Sequence, residues 1–366
     1  MPRRVESYTF GPERAYGLGR KVQLTVTIVQ MVVALAAILG AAVFFTNAVE
    51  MLGERLNLGS GAVGSVLAAV GTALPETMIP VVALVGALIA GESASEGASE
   101  IGIGAILGAP FLLATLAMFV VGAGALIFRS RRENGQEMRI DKRTTIRDVG
   151  FFLVFFAIAA GAGVVALPEY VKIAIAALLV GAYIVYVWRT IMAGGESQGE
   201  SPDDLTLWPE SSWGQAPTWA VVVQLLGTLV VMGFGAHFFV QAVESASEAV
   251  GIPAGLISLV LAPLATELPE KFNSVLWLRD DKDTLAFGNI TGAMVFQSTI
   301  PVSLGLLFTR WELGFIEALA AGLALASGVV LLAFLLRKAP LQGWQMLGAG
   351  SLYIVFIAAA IYEVAA

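Results

Sequence analysis

Apolar residues run through this chain in blocks of twenty or so, parted by short polar or charged stretches. A bilayer's hydrocarbon core takes about 20 residues of α-helix at 1.5 Å rise each. On that ruler the pattern predicts ten spans: 24–49, 61–90, 99–128, 149–167, 170–192, 218–245, 254–278, 284–309, 313–336 and 343–363. Between the fifth and sixth lies "GGESQGESPDDLTLWPESSWGQAP", an acidic Gly/Ser/Pro-rich linker too short to fold as a domain. Its neighbourhood carries Trp208, Trp213 and Trp219, a residue type that favours the membrane–water interface.

The blocks repeat. Residues 44–76 read "FFTNAVEMLGERLNLGSGAVGSVLAAVGTALPE", and 238–270 read "FFVQAVESASEAVGIPAGLISLVLAPLATELPE". The offset is 194 throughout, and 14 of 33 positions are identical. Apolar matches come easily in membrane proteins, but Glu50/Glu244, Glu54/Glu248, Thr72/Thr266, Pro75/Pro269 and Glu76/Glu270 do not. A second match pairs "GAILGAP" at 104–110 with "GNITGAM" at 288–294. The organisation is therefore a basic segment 1–23, a five-helix repeat 24–192, the linker 193–217 and a second repeat 218–366. Five spans per repeat is odd, so the second copy enters the membrane from the other side. The expected fold is an all-α integral membrane protein, ten transmembrane helices in two inverted five-helix repeats. In transporters with such repeats, interrupted helices meet near the midplane and form the substrate site.

Composition agrees. The chain has 366 residues, 57% hydrophobic and 13% charged, with mean hydropathy +0.82. Soluble domains carry about a quarter charged residues. The basic residues Arg3, Arg4, Arg14, Arg20 and Lys21 precede an apolar run too long for a signal peptide and without a clear cleavage site, which reads as the first span. There is no cysteine, hence no disulfide and no thiolate metal site. A net charge of -7 argues against nucleic acid as a partner. HExxH cannot occur with a single histidine, and His237 has no obvious nucleophile partner, so an intramembrane hydrolase has no machinery and no enzyme is expected.

The repeated motif carries the chemistry. Pro75 and Pro269 lack an N–H and crowd the carbonyls of Gly71 and Ala265, one turn earlier. Freed carbonyls inside a membrane must find partners, and a dehydrated cation is one. Thr72 and Glu76 share one helix face, as do Thr266 and Glu270. Two carboxylates, two hydroxyls and several carbonyls make an all-oxygen set suited to Ca²⁺, and poorly suited to zinc or copper. A carboxylate inside the membrane costs roughly 2.5–3.5 kcal/mol or more, so two at equivalent positions point to function rather than packing.

"GTALPE" and "ATELPE" resemble the paired motif of the sodium/calcium exchangers of the Ca²⁺:cation antiporter superfamily. The trailing "GNITGA" and the five-plus-five symmetry extend the resemblance over nearly the whole chain. It implies that Thr72, Glu76, Thr266 and Glu270 ligate transported Ca²⁺, that Na⁺ or H⁺ is the counter-ion, and that access alternates as the first and sixth spans move. No tightly bound cofactor is implied; the partners are small inorganic cations and the lipid bilayer. The departures bear on the counter-ion. Sodium-coupled members place serine after the motif threonine, where Ala73 and Glu267 stand here. Ala109, Leu113, Ala293 and Gln297 occupy further positions that usually ligate sodium. A proton-coupled divalent-cation exchanger without sodium dependence is the alternative within transporters, and a cation channel the alternative outside them.

Glu267 admits three readings: a third carboxylate of the site, an i,i+4 ion pair with Lys271, or a partner for a Lys271 ammonium standing where sodium would bind. Gly104/Gly108 and Gly288/Gly292 predict close helix packing, bringing spans three and eight near the glutamates, where Asn289 and Gln297 add polar atoms. Glu50/Glu54 and Glu244/Glu248 read as solvated helix ends or a cation-collecting vestibule. His237, alone on an apolar helix, reads as packed or hydrogen-bonded. With the N-terminus outside, thirteen Lys and Arg fall on the cytoplasmic side, with the 129–148 loop and the 193–217 linker, and seven outside. That asymmetry follows the positive-inside tendency.

Overall fold

The computed structural model describes residues 12–55, 68–90, 92–165, 167–192, 205, 207–208 and 216–365. Within its helices, the side chains at 12–22, 50, 53–54, 68–75, 90, 92–96, 191, 268–270 and 272–273 lie outside the described set. Helices α1 (Pro12–Arg55) and α2 (Ala68–Ala90) are the first two spans. The third joins α3 (Glu92–Leu112), a π-helical turn (Leu113–Ala117) and α4 (Met118–Ile127). Helices α5 (Lys142–Val164) and α6 (Glu169–Met192) complete the first half. The second half runs α7 (Thr218–Val250), α8 (Ala254–Arg279), α9 (Asp283–Gln297) with α10 (Ile300–Phe308), α11 (Phe315–Leu335) and α12 (Gly343–Ala365). Eight of these stretches are long and apolar enough to cross a membrane, and shorter apolar helices at Glu76–Ile89 and Ala254–Glu267 stand at the second and seventh spans. The protein is an all-helical membrane protein built of two repeats. A two-residue antiparallel ladder, β1 (Glu137–Met138) with β2 (Leu341–Gln342), is the one addition among the described residues.

Boundaries shift where local chemistry overrides hydropathy. Helix α1 already starts at Pro12, inside the basic segment. Helix α5 starts at Lys142 rather than 149 because Asp141 caps it. The Asp141 carboxylate accepts the Arg143 and Thr144 N–H groups and, at 2.6 Å, the Thr144 hydroxyl. That hydroxyl is the main reason the carboxyl sits below its usual range. Residues 61–67, assigned above to the second span, fall outside the described residues.

The interruptions move too. Helices α2 and α8 continue through Pro75 and Pro269, contrary to the expectation of broken helices there. A proline removes one hydrogen bond, and packing against neighbouring helices can hold the rest of the ladder. The backbone departs from α-helix in spans three and eight instead. "GAPFLLATLA" (108–117) contains the π-turn, and the equivalent "GAMVFQSTIP" (292–301) contains the break at Ser298–Thr299. Thr115 donates its hydroxyl to Phe111 carbonyl at 2.6 Å, and Thr299 to Val295 carbonyl at 2.8 Å. These are the same bond in the two repeats.

Packing pairs α1 with α7, α3 with α8, α4 with α12, α5 with α11 and α6 with α10. The α3–α8 seam is backbone against backbone: a Cβ at Gly104 would run into the Gly255 carbonyl, and one at Gly108 into the Leu259 carbonyl. Ser258 reinforces it by donating to the Ile101 carbonyl at 2.8 Å. The second pair departs from this, since a Cβ on Gly288 or Gly292 meets nothing within 4 Å. One glycine pair permits close approach; its repeat does not use it.

Three loops gather on one face. The β1–β2 ladder joins the 128–141 and 336–342 loops, Lys142 Nζ donates to the Arg337 and Ala339 carbonyls, and Arg132 pairs with Asp283 at 2.5 Å. At the other face Lys172 donates to the Arg310 carbonyl and Leu313 N–H to the Gly163 carbonyl. The linker docks where it is described: Leu205 is buried, Leu207 N–H donates to Gln224, and Trp208 meets Trp219 edge-on at 5.5 Å. Trp213 lies outside the described residues. His237 is exposed on α7 and, among the described residues, has only Phe238 as a ring neighbour. It shares the outward stripe of Phe234 and Phe238, so it is not packed, and it makes no hydrogen bond among the described residues.

Candidate cation-binding site

Helix α2 presents Glu76, α8 presents Thr266, Glu267 and Lys271, and α9 ends on Gln297. The three helices converge where span eight breaks. The Gln297 amide nitrogen lies 3.5 Å from a Glu76 carboxylate oxygen and 3.3 Å from one of Glu267. The second Glu267 oxygen lies 3.3 Å from Lys271 Nζ. A polar chain, Glu76–Gln297–Glu267–Lys271, thus crosses the interior from one repeat to the other.

Burial makes this chain consequential. Glu267 and Lys271 are fully buried and Gln297 is 2% exposed, while Glu76 retains 9%. A buried carboxylate needs a countercharge or donors, and here it has both. The spacing on α8 explains the pair: residues four apart lie one above the other on a helix. Of the three readings of Glu267, the ion pair is present. The other Glu267 oxygen accepts from the Gln297 amide, so the two oxygens face different partners.

Gln297 sits at the last residue of α9, and the break after it lets the amide end the helix and face α2 and α8. The Thr266 hydroxyl donates to its own helix, to the Ala262 carbonyl at 3.0 Å. Its oxygen keeps acceptor capacity for a cation. Ala265 is half-buried one position earlier. Asn289 is set apart: its amide donates to Ser274 Oγ at 3.1 Å, about 10 Å along α8 from Glu267 by helical rise. The side chains of Thr72 and Glu270, and Gly71 with them, lie outside the described set, although their backbone is helical.

The cluster therefore joins Glu76, Glu267 and Gln297 and adds Lys271, while Thr266, beside Glu267 in sequence, bonds its own helix. Sequence reasoning did not single out Ser274, or the Thr115/Thr299 pair that marks both backbone irregularities. The signal for the latter was available, as both threonines fall at one offset in the aligned repeats. Ala109 and Leu113 are buried and Ala293 is packed against the core, presenting apolar groups at three positions where the resembled family usually ligates sodium. Hydroxyls and carboxylates in a dry interior can exchange a hydrated ion's water shell for fixed oxygens.

A family model described as sodium/calcium exchanger protein matches residues 26–192 and 220–362. The chain is 24% identical over 325 residues to CaxA of Alkalimonas amylolytica, which is assigned as an antiporter, covering 87% of this chain and 92% of that protein. Its fold is similar to the crystal structure of the H⁺/Ca²⁺ exchanger CAX, with TM-score 0.67 and 17% identity over 97% of this chain and 92% of that one. It is also similar to the sodium–calcium exchanger NCX_Mj, with TM-score 0.56 and 20% identity over 92% and 98% of the two chains.

Proposed function

The chain belongs to the sodium/calcium exchanger protein family, whose members are membrane cation antiporters and not enzymes, and from that premise we propose which residues hold the ion and what drives it. Glu76, Glu267, Glu270 and Thr266 bind a dehydrated Ca²⁺ together with Thr72 and the carbonyls of Gly71 and Ala265. Gln297 orients two of the carboxylates. The polar chain linking Glu76 to Glu267 through Gln297 is the observation that carries this reading. Asn289 acts one layer away, by fixing α9 against α8 through Ser274.

The counter-ion in this reading is the proton. Side-chain oxygens for sodium are absent at Ala73, Ala109, Leu113 and Ala293. Three glutamates and one lysine leave two net negative charges at the site, balanced equally by one Ca²⁺ or by two protons. Burial favours such balance, since an uncompensated charge in the interior is costly. Coupled carboxylates of this kind share protons as a group. Calcium-loaded vesicles should release the ion when an inward proton gradient is imposed without sodium. Release that follows a sodium gradient and ignores pH would leave the backbone carbonyls as sodium ligands and overturn this assignment. Release down the calcium gradient with neither counter-gradient would instead mark a channel.

The proposed orientation puts the N-terminus outside and the face bearing the 128–141, 279–283 and 336–342 loops in the cytoplasm. Support comes from the concentration of Lys and Arg on that face, following the positive-inside tendency. The chain has no cysteine of its own, so one introduced at Ser130 reports without background. It should react with a membrane-impermeant thiol reagent only after the cells are opened. Labelling of intact cells would reverse the orientation.

A further inference from the structure

Helices α5 and α6 leave an open groove of about 460 Å³ between them, and none of the carboxylate-chain residues lines it. Its walls are Phe151, Phe155, Leu178 and Val185, and at one end stand Arg147 and Arg189. Leu178 and Val185 are about half exposed, at 50% and 48%, so the groove faces the surrounding lipid. Gly181 lies along it, and a Cβ there meets nothing within 4 Å. The two helices run antiparallel. Arg147 near the start of α5 and Arg189 in the last turn of α6 therefore reach the same membrane surface.

One arginine is held in place. Arg147 bonds the Asp148 carboxylate at 3.0 and 3.1 Å and stacks over the Tyr186 ring, 4.8 Å from its centroid. The Tyr186 hydroxyl and Thr291 also donate to Asp148, at 2.9 and 3.1 Å. Asp148 is thus shared among three donors, and Arg147 keeps 39% of its side chain exposed. Arg189 is exposed at the helix end and makes no ion pair among the described residues. Two guanidiniums against one shared carboxylate leave the groove's mouth positively charged.

We propose that this groove binds an anionic phospholipid, its phosphate between Arg147 and Arg189 and one acyl chain along Phe151, Phe155, Leu178 and Val185. The chemistry is complementary at both ends: guanidinium forks match phosphate oxygens, and the apolar walls match a hydrocarbon chain. Basic pockets between transmembrane helices select acidic headgroups, with roughly 1 kcal/mol for each Lys or Arg at the surface, or about fivefold in affinity. A zwitterionic lipid would meet repulsion between its own ammonium or choline and the two arginines. The proposal does not depend on which cation the protein transports.

Purified full-length protein in detergent, titrated with phosphatidylglycerol or with phosphatidylcholine and followed by native mass spectrometry and thermal unfolding, tests it. Phosphatidylglycerol should be retained and should raise the unfolding temperature; phosphatidylcholine should do neither. Arg189→Gln should weaken retention about fivefold. Gly181→Leu, which fills the groove without touching a charge, should abolish it while leaving the lipid-free unfolding temperature near the parent's. Equal retention of both lipids, retention unaffected by both substitutions, or equal stabilisation by inorganic phosphate would each overturn the proposal. Arg147→Gln is a poor sole probe because it also strips a partner from buried Asp148.

Discussion

Replacing Glu76 with glutamine should reduce calcium flux to about a hundredth or less while the protein still folds. Removing a group that only orients a metal ligand already costs 10–100-fold, and Glu76 is proposed as a ligand itself. Glutamine keeps the volume and one carbonyl oxygen but not the charge that replaces the ion's water shell. Folding should survive because glutamine keeps the shape and a hydrogen-bonding end, and Gln297 keeps its bond to Glu267. The measurement is ⁴⁵Ca²⁺ exchange in proteoliposomes, with size-exclusion behaviour as the folding control. Near-parental flux would remove Glu76 from the site. Glu270→Gln should behave the same way on the proposed role of its carboxylate.

Lys271→Met should be the most destabilising single change in the interior. Glu267 and Lys271 are both fully buried, 3.3 Å apart. Removing the lysine takes from Glu267 the countercharge at 3.3 Å, and breaking a buried pair in this way costs about 3–5 kcal/mol. Replacing both with apolar or neutral groups of similar size costs far less, because the desolvation of two charges disappears with the pair. Glu267→Gln combined with Lys271→Met should therefore recover most of the stability lost in Lys271→Met alone. Thermal unfolding of the purified protein in detergent compares the three forms. A Lys271→Met protein as stable as its parent, or a double variant no better than the single one, would mean that the pair does not govern this region. Transport separates structure from chemistry: the double variant should be stable yet impaired in calcium exchange, as Glu267 is a proposed ligand.

The bundle was legible in the sequence because its causes are local or repetitive. Hydropathy marks spans since the bilayer excludes unsatisfied backbone, and only helices of about 20 residues meet that demand here. Duplication makes candidate carboxylates visible, since Glu76 and Glu270 stand at one offset in the two repeats. The start of α5 at Asp141 was equally local, a cap that hydropathy alone overlooks.

What the sequence by itself determined is therefore the class and the two repeats, and it singled out the candidate carboxylates Glu76 and Glu267. The tertiary structure alone decided how those carboxylates are compensated. Gln297 is 221 residues from Glu76 and 30 from Glu267, and no periodicity reports a bond across such separations. The same holds for the backbone breaks. Pro75 and Pro269 looked like the interruptions, yet neighbouring helices hold α2 and α8 intact, and the departures fall at Leu113–Ala117 and Ser298–Thr299. The two GxxxG pairs, alike on paper, also part company: Gly104 and Gly108 lie against α8 backbone, while Gly288 and Gly292 face open space. Local propensity is a property of the residues, but burial and pairing are properties of what packs against them, and these differ between two repeats with the same ancestry of pattern.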